Sequence, residues 1–185
     1  MTRLKPAPLL IEHLDLFTTN RLPGPVLDLA CGEGHNGIFL AAHQVPVICC
    51  DRSREALIRV QKLAGEQQAA VEVWQVDLEE KGVNPLPEDH YGGILIFRYL
   101  YRPLLPCLKK ALKTGGILIY ETFTSGQPAF GEPHNPAFLL KPGELKGWFS
   151  DWEILASFEG IKTEPVRAVA QLVCRKGRSA KGDLQ

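Results

Sequence analysis

Apolar residues recur along this chain with two different periods. Between residues 9 and 18, Leu10, Leu14 and Phe17 fall at helical spacing and predict a helix that Pro23-Gly24-Pro25 brings to an end. Beyond it, apolar runs of strand length alternate with helical stretches: strand 25–30, helix 36–43, strand 46–51, helix 53–67 and strand 71–76. A short helix or turn at 78–84 and the prolines Pro85 and Pro87 lead into strand 93–98, helix 103–113 and strand 116–122. Such alternation predicts a parallel sheet covered by helices. The last part breaks the rhythm, because the apolar stretches 152–158 and 167–174 are joined by a short connection without a helix. That arrangement predicts an antiparallel pair. The predicted fold is α/β, a Rossmann-like doubly wound sheet, mostly parallel, with an antiparallel C-terminal hairpin, in one domain spanning 1–185.

Three segments stand apart from this frame. The region 1–24 carries the N-terminal helix, expected to pack near the ligand cleft. Residues 124–148 begin with a long loop rich in glycine and proline and end in a helix near 142–148; leaving the carboxyl end of a parallel strand, they are expected to form a substrate lid. The tail 176–185, rich in Lys, Arg, Gly and Ser, is expected to fray.

Chemistry concentrates in residues 25–37, Pro-Val-Leu-Asp-Leu-Ala-Cys-Gly-Glu-Gly-His-Asn-Gly, where a buried-type strand carries an acid and opens into a glycine loop. Gly32 and Gly34 lack the Cβ atoms that would hold the backbone away from a ligand, and they tolerate backbone angles closed to other residues. Gly32, Gly34 and Gly37 satisfy G-x-G-x-x-G, and Asp51 follows Gly32 by 19 positions. Taken alone, this matches a dinucleotide fingerprint. Asp28 shifts the balance, because a carboxylate four residues before Gly32 suits a ligand with positive charge better than a pyrophosphate.

The stretch Val26-Leu27-Asp28-Leu29-Ala30-Cys31-Gly32-Glu33-Gly34 resembles the first motif of class I S-adenosylmethionine-dependent methyltransferases. Asp51 and Asp77 stand where such enzymes carry an acid after the second and third strands. Phe97-Arg98-Tyr99-Leu100-Tyr101-Arg102-Pro103 and Gly115 to Phe123 resemble the fourth and fifth strand ends of the tellurite-resistance-like branch. The resemblance covers roughly residues 25–175 and implies the seven-strand methyltransferase sheet. Two positions depart from the pattern: Ala30 replaces the usual glycine, and Tyr91-Gly92-Gly93 replaces an acid that often opens the fourth strand, with the glycines expected to loosen its beginning.

The resemblance implies S-adenosylmethionine as cofactor. Asp28 would lie near its amino-acid end, with Ala30, Gly32 and Gly34 beneath the chain and the following helix N-terminus near its carboxylate. Asp51, with Arg52 beside it, would accept from the ribose hydroxyls, and Asp77 with Leu78 would hold the adenine. Phe97 would contact the cofactor at the end of the fourth strand. Arg98, Tyr99 and Tyr101 are the candidate catalytic residues at the methyl end, where aromatic faces favour a cation. Methyl transfer from a sulfonium is a direct displacement, so proximity and alignment supply most of the rate and no dedicated base is required when the nucleophile arrives deprotonated.

Composition narrows the partners. Lys plus Arg equals Asp plus Glu at 21 each, so no global field favours nucleic acid or an anionic membrane. No apolar run reaches the roughly 20 residues of a membrane span, and the expected location is the cytoplasm. Five cysteines without C-x-x-C spacing are expected to be reduced structural thiols, with Cys49 and Cys50 on opposite faces of a strand and no metal site. The expected acceptor is a small molecule or an anion. RNA is the alternative, through a patch of Lys109, Lys110, Lys113 and the tail. Two further alternatives are a non-catalytic S-adenosylmethionine-binding subunit and a nicotinamide oxidoreductase.

Overall fold

The computed structural model describes residues 5–19 and 22–177. Strands β1 (Val26–Leu29), β2 (Val47–Asp51), β3 (Val71–Gln75), β4 (Tyr91–Phe97) and β5 (Leu112–Phe123) run parallel. Strands β6 (Glu153–Thr163) and β7 (Val166–Arg175) form an antiparallel hairpin whose second strand pairs with β5. The resulting order is β3-β2-β1-β4-β5-β7-β6. Chain direction reverses its progress across the sheet between β1 and β4, the place where open α/β sheets leave a crevice at their carboxyl ends.

Helices fill the connections. The N-terminal region is two short helices, α1 (Pro8–Glu12) and α2 (Asp15–Thr18), broken at His13 and Leu14, where one helix was expected. The break lets Leu9, Leu10 and Phe17 all reach the core. Helices α3 (His35–Ala42) and α4 (Arg54–Glu66) cover one face of the sheet. Helix α5 (Leu105–Ala111) and the short α6 (Glu144–Trp148) belong to the other. The segment 78–84 is a turn.

Strand alternation sorts the side chains between two cores. Val26, Val47, Cys49, Leu95, Ile117 and Ile119 join Ile38 and Val60 on the α3/α4 face, whereas Leu27, Leu29, Cys50, Ile94, Ile96 and Tyr120 join Leu108 and Phe149 on the α5/α6 face. Cys49 and Cys50 therefore do lie on opposite faces. All five cysteines are free thiols.

Gly92 and Gly93 stand at an irregularity at the beginning of β4, where the sequence led us to expect a looser strand. Both are buried, and the ladder shifts register between Tyr91 and Gly93. A Cβ on Gly92 would overlap the backbone of Gly24, and one on Gly93 would stand 3.0 Å from the Phe17 ring. Their small size admits the N-terminal segment against the strand.

The expected lid is shorter than 124–148. Leu140 and Leu145 belong to the α5/α6 core, as does Phe149 just beyond, and Leu139 is buried beside them in the chain, so the second half of that segment is structural. The base of the remaining loop is closed: Ser125 N–H donates to Leu140 O at 2.9 Å and Leu140 N–H to Phe123 O at 2.9 Å. Phe130 and Phe138 stay exposed on the projecting part.

Candidate functional site

The loop after β1 is shaped by three glycines with three different reasons. Gly32 has φ 55° and open space where its Cβ would stand. Gly34 has φ 71°, and its Cβ would meet Val60 Cγ2 at 2.7 Å, so its missing side chain faces α4 instead of a ligand. Gly37 lies against β2, with Cys49 Sγ 2.5 Å and Asp28 Oδ2 3.0 Å from a built Cβ. Ala30 also takes a left-handed backbone, φ 52°. Glycine adopts that conformation freely and alanine with strain, which accounts physically for the glycine usual at this position.

Asp28 is 2% exposed, beneath the loop and not beside the cleft. Its Oδ2 accepts the Gly37 N–H at 2.8 Å. Burial raises its pKa to about 7, opposed by the Gly37 hydrogen bond and assisted by the nearby Asp51 charge. A carboxyl so enclosed acts through the backbone it holds.

Asp51 reaches back across the same loop. Its Oδ2 accepts the Gly32 N–H at 2.9 Å and its Oδ1 the Ser53 N–H at 2.8 Å. These two bonds fix the carboxylate while leaving each oxygen a lone pair. Asp77 is exposed and turned by a bond from Glu79 N–H to its Oδ1, 2.9 Å. Leu78 beside it is buried.

Six of the expected residues converge. Ala30, Asp51, Arg52, Asp77, Leu78 and Tyr99, with Val76 and Glu79, line one cleft of 210 Å³ at the carboxyl ends of the parallel strands. Val76 and Glu79 were not anticipated; their signal was only their position on either side of Asp77-Leu78.

Phe97, Arg98 and Tyr101, also expected at the site, lie elsewhere. Phe97 packs into the α3/α4 core, because strand alternation sends it to the face opposite Ile96. Arg98 is exposed, with φ 57° and its N–H given to Glu121 O at 2.8 Å. Tyr101 lines a small inner cavity with Tyr99, Arg102, Tyr120 and Trp148. Arg102 is engaged through all three of its nitrogens: Nε donates to Glu144 Oε1 at 2.7 Å, Nη2 to Glu144 Oε2 at 2.9 Å and to Leu139 O at 2.8 Å, and Nη1 to Ala137 O at 3.0 Å. His134 is exposed on the loop, its Nδ1 3.0 Å from Glu132 Oε1.

Strands β5 and β7 also bring together a buried polar group. Glu121 is 3% exposed, accepts a hydrogen bond from Gln171, and has Arg167 Nη2 at 3.6 Å. Glu121 and Gln171 are fifty residues apart in the chain, so no local spacing signals the pair.

Among the described residues no helix is long and apolar enough to cross a membrane. The lysines considered as an RNA-binding patch are committed: Lys109 to Asp151 and Trp148 O, Lys110 to Glu88, and Lys113 to Pro23 O.

A methyltransferase domain family model matches residues 26–116. A probable S-adenosyl-L-methionine-dependent methyltransferase, TehB, from Haemophilus influenzae strain Rd is 24% identical over 160 residues, covering 80% of this chain and 54% of the relative. A protein named hemagglutinin 1 from Eikenella corrodens is 28% identical over 145 residues, covering 75% of this chain and 47% of its own. The chain thus spans about half the length of these curated relatives. The crystal structure of TehB from Haemophilus influenzae superposes with a TM-score of 0.74 at 18% identity, covering 95% of this chain and 63% of that one. The seven-strand sheet is the fold of the TehB structure, and residues 26–116, which hold the glycine loop after β1, match a methyltransferase domain.

Proposed function

We propose that the chain binds S-adenosylmethionine in the 210 Å³ cleft and transfers its methyl group to a small-molecule or anionic acceptor. The observation that carries this reading is the convergence of Asp51, Asp77 and Leu78 around one cleft behind the glycine loop. When bound, the cofactor supplies an electrophilic methyl on a sulfonium. Asp51 accepts from the ribose hydroxyls with the lone pairs its two backbone bonds leave free. Asp77 accepts from the adenine amino group, Leu78 packs on the base, and Arg52 flanks the ribose. Ala30, Gly32 and Gly34 form the floor, and Asp28 holds the first turn of α3 in place through Gly37.

Displacement at the methyl group needs an aligned acceptor and exclusion of water more than a proton acceptor. The loop 125–138, pinned at its base and carrying exposed Phe130 and Phe138, supports a role as the cover of the acceptor side. Arg98, exposed and held in a strained backbone conformation at the end of β4, is the candidate that remains for acceptor contact. Neutralised lysines on α5 and an even charge balance favour a small acceptor over RNA. The absence of a spanning helix among the described residues is compatible with action in the cytoplasm.

Calorimetric titration with S-adenosylhomocysteine, in parallel with NADH, tests the cofactor. Binding of S-adenosylhomocysteine alone is the expected result; binding of NADH alone would reassign the cleft to nicotinamide chemistry. Tight cofactor binding with no turnover across an acceptor screen would favour the non-catalytic subunit.

A further inference from the structure

Tyr99 separates two spaces. On one side it lines the cleft with Ala30, Asp51, Asp77 and Leu78; on the other it closes the inner cavity walled by Tyr101, Arg102, Tyr120 and Trp148. Its carbonyl accepts the Tyr120 hydroxyl at 3.1 Å, which ties this stretch of backbone to β5. Its own hydroxyl is buried and has no hydrogen-bond partner.

A buried hydroxyl without a partner costs folding free energy, and native proteins pair nearly all such groups. The exceptions that persist call for a reason, and a partner that arrives with a ligand is one. Burial, followed by the charges of nearby Glu79 and Tyr120 and by a hydrogen-bonding approach to the Glu79 carboxylate that falls short of full hydrogen-bond geometry, holds the Tyr99 phenol well above its ordinary pKa. The group is therefore a protonated donor at neutral pH. Its complement is an acceptor atom, and in a cleft whose other polar walls are the carboxylates of Asp51, Asp77 and Glu79, every other titratable group placed there accepts when ionised, apart from Arg52.

We propose that Tyr99 is a positioning residue for the adenosine half of the cofactor, its hydroxyl donating a hydrogen bond to a ring nitrogen or ribose oxygen. The two kinds of wall then divide the work. Carboxylates take the adenine amino group and the ribose hydroxyls, and Tyr99 serves an acceptor that no carboxylate can. This inference rests on the cofactor reading above, and it moves Tyr99 from the methyl end, where its position after β4 had put it, to the nucleoside end.

The test is titration of the full chain and of Tyr99→Phe with S-adenosylhomocysteine and, by competition, with adenosine, together with the melting temperature of each unliganded protein. The phenylalanine variant is expected to melt at the same temperature or higher, since it loses only an unpaired hydroxyl, and to bind both ligands more weakly by the same factor, on the order of tenfold. Affinity for S-adenosylhomocysteine within twofold of the parent overturns the proposal. So does a loss confined to S-adenosylhomocysteine, which would place the hydroxyl at the amino-acid end, or a lowered melting temperature, which would reveal a partner in the unliganded protein. Failure of the parent chain to bind either ligand would instead overturn the cofactor reading itself.

Discussion

Gly37 and Cys49 are in such close contact that a Cβ on the glycine would stand 2.5 Å from the Cys49 Sγ. Cys49 pairs with Asp28 across β1 and β2, and Asp28 accepts the Gly37 N–H. One glycine, one thiol and one carboxyl thus set how closely α3 approaches the sheet. The third glycine of the loop serves helix packing, and the ligand never needs to touch it.

Gly37→Ala is accordingly expected to destabilise the fold by about 1–3 kcal/mol, an overpacking cost at a site with no slack. Adding Cys49→Ala removes the sulfur and should recover part of the loss. Urea denaturation of the two single variants and the double variant would show coupling above about 0.5 kcal/mol. Strict additivity would mean that the sulfur is not what the new methyl meets.

Asp28 gives the fold a pH dependence of unusual sign for a carboxylate. Its pKa is about 7 in the folded chain against 3.8 for the ordinary group, so the native state holds a proton that the unfolded state releases. Stability contributed by this group therefore falls as pH rises from about 4 to 7 and is level above that, a total of about 4 kcal/mol by linkage. Asp28→Asn keeps an acceptor for Gly37 N–H and abolishes the ionisation. Denaturation at pH 5 and pH 8 should show the variant losing most of the decline seen in the parent; an unchanged decline would assign it to other groups.

Much of this architecture was legible because the relevant signals are local. The alternation of apolar strands and helices determines the parallel sheet, and the run from Asp28 to Gly34 marks the loop on which the cleft is built. Asp51 and Asp77 were placed correctly at strand ends because a strand end is a sequence position. What a side chain faces is harder. Phe97 and Tyr99 are two residues apart, yet one enters the α3/α4 core and the other lines the cleft, since the chain leaves the strand at Arg98 with a left-handed turn that ends the alternation. Arg102 has no local sign of a partner in the sequence, and only the fold brings Glu144 to it from 42 residues away.

Asp51 carries the most direct test of the cleft. Asp51→Ala is expected to weaken S-adenosylhomocysteine binding by about 1–3 kcal/mol, because it removes the ribose acceptor and frees the Gly32 and Ser53 N–H groups that the carboxylate holds. Calorimetry at one temperature suffices. Unchanged affinity would show that the ribose is held elsewhere.

The clasp between Arg102 and Glu144 anchors the C-terminal end of the loop proposed to cover the acceptor. Arg102 grips the Glu144 carboxylate through two nitrogens and the carbonyls of Ala137 and Leu139 through its remaining donors, while Glu144 also accepts Lys141 N–H at 2.8 Å. Motion of the loop must therefore lie before residue 137 as long as the clasp holds. Arg102 keeps the Glu144 carboxyl below the usual carboxylate range, so the stabilisation is present at neutral pH and is lost as the medium is acidified through that range. Glu144→Ala should cost about 1.5–3 kcal/mol. It should also open the 137–144 stretch to limited proteolysis at pH 7.5 while leaving S-adenosylhomocysteine affinity intact. Protection of that stretch equal to the parent's would mean that the buried Leu139, Leu140 and Leu145 hold the segment without the ion pair.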